Sequence, residues 1–203
     1  MDEDKRTKTL VIPTYSITAG LIDLALTCAK SHRNQVNQII ITEDGGRFSR
    51  KLRDIADIYI YSPHNVGFTK NANRGWALST SDFTIIANSD TELVKGNIRD
   101  ICVEGRVVCP EIINLDYPGF TGSYFVVPKE IWRERGMLNE EFRNFASDDD
   151  YYYRIKDIFF KEGRVGISHQ KAATLRRVGF SVEEENKRDQ REYDKLRKER
   201  GVY

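Results

Sequence analysis

Three short stretches of this chain combine residue types and spacings that could do chemistry. Asn88-Ser89-Asp90 directly follows an apolar run. A carboxylate with an amide beside it suits a hard divalent cation such as Mg²⁺ or Mn²⁺, which takes oxygen ligands and keeps waters or phosphates in its shell. The same tripeptide would also serve simply to end a strand, because Asp and Asn favour turns. Asp148-Asp149-Asp150 sets three carboxylates side by side. Their repulsion raises the proton affinity of one of them, although acidic residues also suit a helix N-terminus through its dipole. The stretch from Asn65 through Gly67 to Lys70 joins a turn-forming glycine to a cation able to donate to phosphate. His169 stands alone, and a lone histidine is as readily a packing residue as a ligand. Two common phosphate sites are missing: no GxGxxG follows the first apolar run, and no GxxxxGK(S/T) occurs anywhere.

The elements that must position these groups are legible from apolar spacing. Leu10-Val11-Ile12, stopped by Pro13, Ile39-Ile40-Ile41, Ile58-Tyr59-Ile60-Tyr61 and Phe83-Thr84-Ile85-Ile86-Ala87 read as strands. Leu21, Leu24, Ala25 and Cys28 recur with helical spacing, and a second helix is expected over 69–78. Almost wholly apolar strands alternating with helices predict a mainly parallel sheet covered on both faces. Ligands of such sheets bind outside the carboxyl ends of the strands. Pro13-Thr14-Tyr15, Glu43-Asp44, residues 62–67 and Asn88-Ser89-Asp90 all sit at those ends, so four polar clusters should converge on one rim.

Further along, strands are expected at 106–109 and 123–127, and a short helix over 129–135 closed by Gly136. The acidic cluster should open a helix running to about Gly163, followed by a last short run at 165–168 that leads to His169. From Ser181 the chain is densely charged, with Ser181 and Glu184 in capping-box spacing. That tail reads as a solvated helix, or, through Lys195, Arg197, Lys198 and Arg200, as an acceptor or partner contact.

Composition narrows the class. With 203 residues there is enough chain for one sizeable core. Lys and Arg total 32 against 31 Asp and Glu, which excludes a global basic field for gripping nucleic acid but not a local patch. Cys28, Cys102 and Cys109 have neither metal-site nor CxxC spacing, and an odd number fits a reducing, cytoplasmic setting. The charged N-terminus lacks the apolar stretch of a signal peptide, and no run is long enough to span a bilayer.

The run from Asn65 to Asp90 is the most specific signal. It reads Asn-Val-Gly-Phe-Thr-Lys-Asn-Ala-Asn-Arg-Gly-Trp, a small-residue turn, a strand, then Asn-Ser-Asp-Thr-Glu. This resembles the family 2 glycosyltransferases of the GT-A fold, with their N-x-G-x-x-x-A-x-N-x-G pattern and DxD-type metal motif. Val-Ile-Pro-Thr-Tyr-Ser and Ile-Ile-Ile-Thr-Glu-Asp-Gly-Gly upstream are similar to the family's first two strand ends. Gly-Ser-Tyr-Phe-Val-Val-Pro-Lys-Glu, Gly-Met-Leu-Asn-Glu-Glu-Phe and Asp-Asp-Asp-Tyr-Tyr-Tyr-Arg follow in the family's order. The likeness runs over 10–174. Asn88 stands where the archetype has Asp, Glu43 where a base-reading Asp is usual, Asn71 where a small residue is usual, and Ser147 where a Glu is common.

The resemblance implies a GT-A (Rossmann-like) α/β fold with a mixed, mainly parallel sheet. A flexible leader would occupy 1–8, the glycosyltransferase domain 9–180 and a charged helix 181–203. It implies an inverting, metal-dependent transfer of a sugar from a nucleotide-sugar donor, UDP-linked by resemblance, to a hydroxyl. The acceptor would be a glycan, another hydroxyl compound or a modified DNA base. Pro13, Thr14, Tyr15 and Glu43 would hold the nucleoside, with Asn65, Gly67, Lys70, Asn88 and Ser89 along the donor. Asp90 and His169 would hold Mn²⁺ or Mg²⁺. Asp148, with Asp149 and Asp150 beside it, would deprotonate the acceptor. A nucleotidyltransferase is the rival enzyme, but Pro13-Thr14-Tyr15-Ser16 occupies the place of its Gly-rich loop. A non-catalytic sugar-nucleotide or glycan-binding module is the third reading.

Overall fold

The computed structural model describes residues 5–113, 119–170, 182–199 and 201. Strands β1 (Lys8–Thr14), β2 (Gln38–Asp44), β3 (Ile58–Ser62) and β4 (Phe83–Ala87) alternate with helices α1 (Ala19–His32), α2 (Arg50–Ile55) and α3 (Phe68–Trp76). Then come β5 (Thr91–Lys95), β6 (Val107–Ile112), β7 (Tyr124–Pro128), α4 (Lys129–Arg135), α5 (Ser147–Ile155), β8 (Phe159–His169) and α6 (Val182–Glu199). One eight-stranded sheet has the order β3-β2-β1-β4-β7-β6-β8-β5. β1 to β4 pair in parallel, and all strands but β5 and β7 point one way.

Alternate residues of each central strand feed two cores. Leu10, Ile12, Ile39, Ile41 and Ile85 pack with Ala25, Cys28 and Ala29 of α1. Val11, Ile40 and Ile86 pack with Ala72 and Trp76 of α3 and with Tyr151 and Ile155 of α5. Covering on both faces explains why these strands read as unbroken apolar runs. Gly75 of α3 lies so close to Val11 and Thr42 that a β-carbon would not fit, which seats the helix directly on the sheet. Trp76 and Tyr151 are core residues with no exposed surface.

β5 starts just past the end of β4 yet pairs with β8 at the sheet's far edge. The sheet therefore curls back until β5 lies on α1, where Leu93 donates its N–H to Ser31 Oγ at 3.2 Å. Two local readings need correction. β1 continues through Pro13, because that residue lies past the last β4 partner, Val11, and needs no N–H on that side. The acidic helix ends at Ile155, and Phe159 to Glu162 instead form the start of β8. Pairing of Val107 with Phe159 and Pro110 with Glu162 overrides the local helical pattern there. Helix α2 and strand β5 had no clear sequence signal. The capping-box residue Ser181 lies outside the described residues.

Candidate active site

The carboxyl ends of β1 to β4 meet at one rim, with the polar clusters expected there. Asp44 is its organiser at β2: the buried carboxylate accepts the N–H groups of Val66 at 2.8 Å and Gly67 at 2.9 Å. Asn65 donates to Asp44 O at 3.2 Å and accepts from Arg143 Nη2 at 2.8 Å. Gly67 has φ +96° and lies against Arg143, so only glycine fits both the conformation and the space. Burial pushes the Asp44 carboxyl above its usual range despite those N–H bonds and the nearby Arg74 and Arg143. Asn71 ties this corner to β1, donating to Thr42 O at 2.8 Å and Thr14 O at 3.3 Å. Lys70 is exposed on the first turn of α3.

Glu43 does something different from the nucleoside contact expected of it. It is sealed from solvent, with Oε1 accepting from Ser16 N at 2.9 Å and Gly46 N at 3.0 Å, and Oε2 from Thr14 Oγ1 at 2.9 Å. It is a staple beneath the β1 loop. Pro13 and Thr14 are buried with it, and Tyr15 is left half-buried at the rim.

At the end of β4, Ser89 and Asp90 are nearly buried. Antiparallel pairing of Thr91 with His169 sets Asp90 beside the histidine, and His169 Nε2 lies 3.2 Å from Asp90 Oδ1. Two residues upstream, the buried Asn88 Oδ1 has no hydrogen-bond partner among the described residues. A carboxylate, an imidazole and an idle amide oxygen fit a divalent ion of the Mn²⁺ or Mg²⁺ type. No group of three His, Cys, Asp or Glu suited to a metal occurs among the described residues, so such an ion would draw its remaining ligands from water and substrate oxygens.

The acidic helix adjoins the same corner. Asn88 N donates to Ser123 O at 2.8 Å, and a β-carbon on Gly122 would press on the Asp148 side chain. Asp148 is half-buried and Asp149 exposed. Desolvation at the helix start, then the Asp148 charge, raise the Asp149 carboxyl above the usual range. Asp150 faces the fold: it is 1% exposed and ion-paired to Arg154, 3.0 Å from Nη2 and 3.2 Å from Nε.

Some idle buried polar atoms lie at the rim, while others, such as Trp76 Nε1 and the Tyr151 hydroxyl oxygen, lie in the core. Ser16 Oγ, Asn71 Oδ1, Asn88 Oδ1 and Thr121 Oγ1 all lack partners among the described residues. Such atoms are costly unless something polar meets them. Sequence reasoning missed Asp44 as organiser, and it missed Arg143 and Asn144, whose contacts with Asn65 and the start of α3 join segments far apart in the chain. No signal in the sequence pointed to that contact.

No family model matches the chain, and no curated protein matches it. Its fold is nonetheless that of solved glycosyltransferases. A mannosyltransferase from Pyrobaculum calidifontis, PcManGT, in complex with GDP-Man and Mn²⁺, matches over 85% of this chain and 60% of its own, with a TM-score of 0.63 at 13% identity. S. aureus TarS 1–349 matches over 79% of this chain and 60% of its own, at TM-score 0.63 and 12% identity. Its complex with UDP gives 0.61 and 11% over the same shares. The chain thus spans 60% of the length of these structures. At such identities the likeness establishes the GT-A fold. Among the described residues no helix is long and apolar enough to cross a membrane.

Proposed function

We propose that this protein is a metal-dependent inverting glycosyltransferase that moves a sugar from a nucleoside-diphosphate sugar to an acceptor hydroxyl. The observation that carries the reading is the meeting of the Asp90–His169 pair with Asp148 at one corner of the rim, joined through Asn88, Ser123 and Gly122. Fold neighbours in complex with GDP-Man and Mn²⁺, or with UDP, support the donor class.

Asp90 and His169 would hold the cation, with Asn88 Oδ1 available to it. When bound, that ion stabilises the negative charge that grows on a departing diphosphate. Tyr15 is the nucleoside contact, with Glu43 acting from beneath to hold the loop. Asn65 and Gly67, clamped by Asp44, line the donor side, and exposed Lys70 supplies a donor for phosphate oxygens. Asp148 takes the acceptor proton as the hydroxyl attacks. Asp149 sits beside it and Asp150 serves the fold. The acceptor is a glycan or another hydroxyl compound; uracil is the donor base that the family resemblance and the fold neighbour in complex with UDP support, with guanine, as in the GDP-Man complex, or thymine as the alternatives.

Thermal melts of the full chain with UDP-, GDP- and dTDP-sugars, with and without Mn²⁺, test this directly. At a nucleotide sugar concentration of 100 times its Kd, stabilisation of about 2.7 kcal/mol is expected. It should need Mn²⁺ and be lost in Asp90→Ala. A melt indifferent to every nucleotide sugar would remove the proposal.

A further inference from the structure

The charge pattern of α6 suggests a helix lying in solvent, but one of its residues contradicts that. Asp189 is 0% exposed on a helix whose other described side chains are mostly exposed. A buried carboxylate persists only when it is paired and hydrogen-bonded. Its Oδ2 accepts the N–H groups of Asn144 and Phe145, each at 2.8 Å. Its Oδ1 receives the Arg188 guanidinium at 2.7 Å and 3.1 Å. Tyr193, one turn further on, packs edge-on against Phe142 at 6.2 Å between ring centres.

The segment held in this way is the entrance to the acidic helix. Ala146, directly after it, has φ +58° and is the one non-glycine residue with positive φ among those described. An alanine in that conformation is strained and must be held by its surroundings. Its carbonyl accepts Asp150 N at 3.0 Å, so its geometry sets the first turn of α5 and hence the direction of Asp148. The same segment also grips α3. Arg143 O accepts Thr69 N at 3.1 Å, and Asn144 Oδ1 accepts Phe68 N at 3.1 Å.

We propose that Asp189 is a positioning residue: through it the C-terminal helix anchors the 143–146 turn that aims Asp148 at the rim. The kinetic part of this rests on the proposed transfer reaction; the anchoring does not. In Asp189→Asn the shape is kept and the charge lost. In the full chain, kcat should fall at least tenfold and by more than the donor KM rises, because the segment also touches Asn65 and α3 but Asp44 and Asn71 hold the donor side through bonds of their own. Amide hydrogen exchange over 144–150 should speed up at least tenfold, with β1 and β2 at wild-type rates. Lys187→Gln, which breaks the exposed pair with Glu183 on the same helix, should change neither. If Asp189→Asn does not fold, Asp189→Glu carries the test, since its longer arm displaces the turn and should lower kcat by a larger factor than it raises KM. Unchanged exchange over 144–150 overturns the proposal, and so does wild-type kcat in a variant whose exchange has quickened. A wild-type chain inactive with every donor would sink the transfer reading alone, and the exchange rates would then decide the anchoring.

Discussion

Three consecutive aspartates receive three different environments, and this separates their roles. Asp148 lies against Gly122 beside the metal-suited corner, Asp149 is exposed with a raised carboxyl, and Asp150 is buried against Arg154. Asp148→Asn should lower kcat by about 10²- to 10⁴-fold, the usual worth of a general base. Titration with nucleotide and Mn²⁺ should meanwhile show unchanged donor affinity. Asp150→Asn should behave in the opposite way. Breaking a buried ion pair costs about 3 kcal/mol or more, so its urea midpoint should drop while the folded fraction keeps its turnover. Glu43 teaches the same lesson, for its position at a strand end suited a ligand contact. Thr14 and Ser16 at the end of β1 and Gly46 after β2 claim its oxygens first.

Among the elements, the turn between β3 and α3 is one place where a single β-carbon would be felt. Gly67 combines a positive φ with contact against the Arg143 backbone. Gly67→Ala should therefore destabilise by about 2 kcal/mol or more, from left-handed strain and from displacing Arg143. Because Asp44 binds the N–H of this very residue, the donor KM should rise as well, in contrast to the kcat effect expected at Asp148. Equilibrium urea unfolding together with donor titration would separate the two consequences. The pairing of β5 with β8 is the other decisive element contact, since a shift of register there would part Asp90 from His169.

The two cores and the curled sheet also place a titratable group deep inside the molecule. His32 of α1 is fully buried, with Nδ1 2.7 Å from Cys28 O and Nε2 2.9 Å from the Tyr124 hydroxyl of β7. Burial pushes its pKa down from 6.5 to about 4, despite the bond to Cys28 O. The unfolded chain therefore binds a proton that the folded one refuses. The stability tied to this site is complete above about pH 6.5 and is lost as pH falls toward 4, amounting to about 3 kcal/mol. Urea midpoints measured between pH 7 and 4.5 should fall accordingly. His32→Gln, which cannot titrate, should show a flatter slope over that window. An equally steep slope in the variant would mean that other groups govern it.

What the sequence determined by itself was local and repetitive. Unbroken apolar runs required a sheet covered on both faces, and polar residues after each run had to gather at the carboxyl ends of its parallel strands. Such patterns are legible because each is set by neighbours a few positions away. Only the tertiary structure decided which polar groups serve the fold and which are left for a ligand. The backbone N–H groups of Ser16 and Asn144 that occupy Glu43 and Asp189, and the strand that brings His169 to Asp90, come from distant segments. A carboxylate's role depends on the donors that reach it once it is buried, and those donors are assigned by long-range register and curl, which local spacing does not encode.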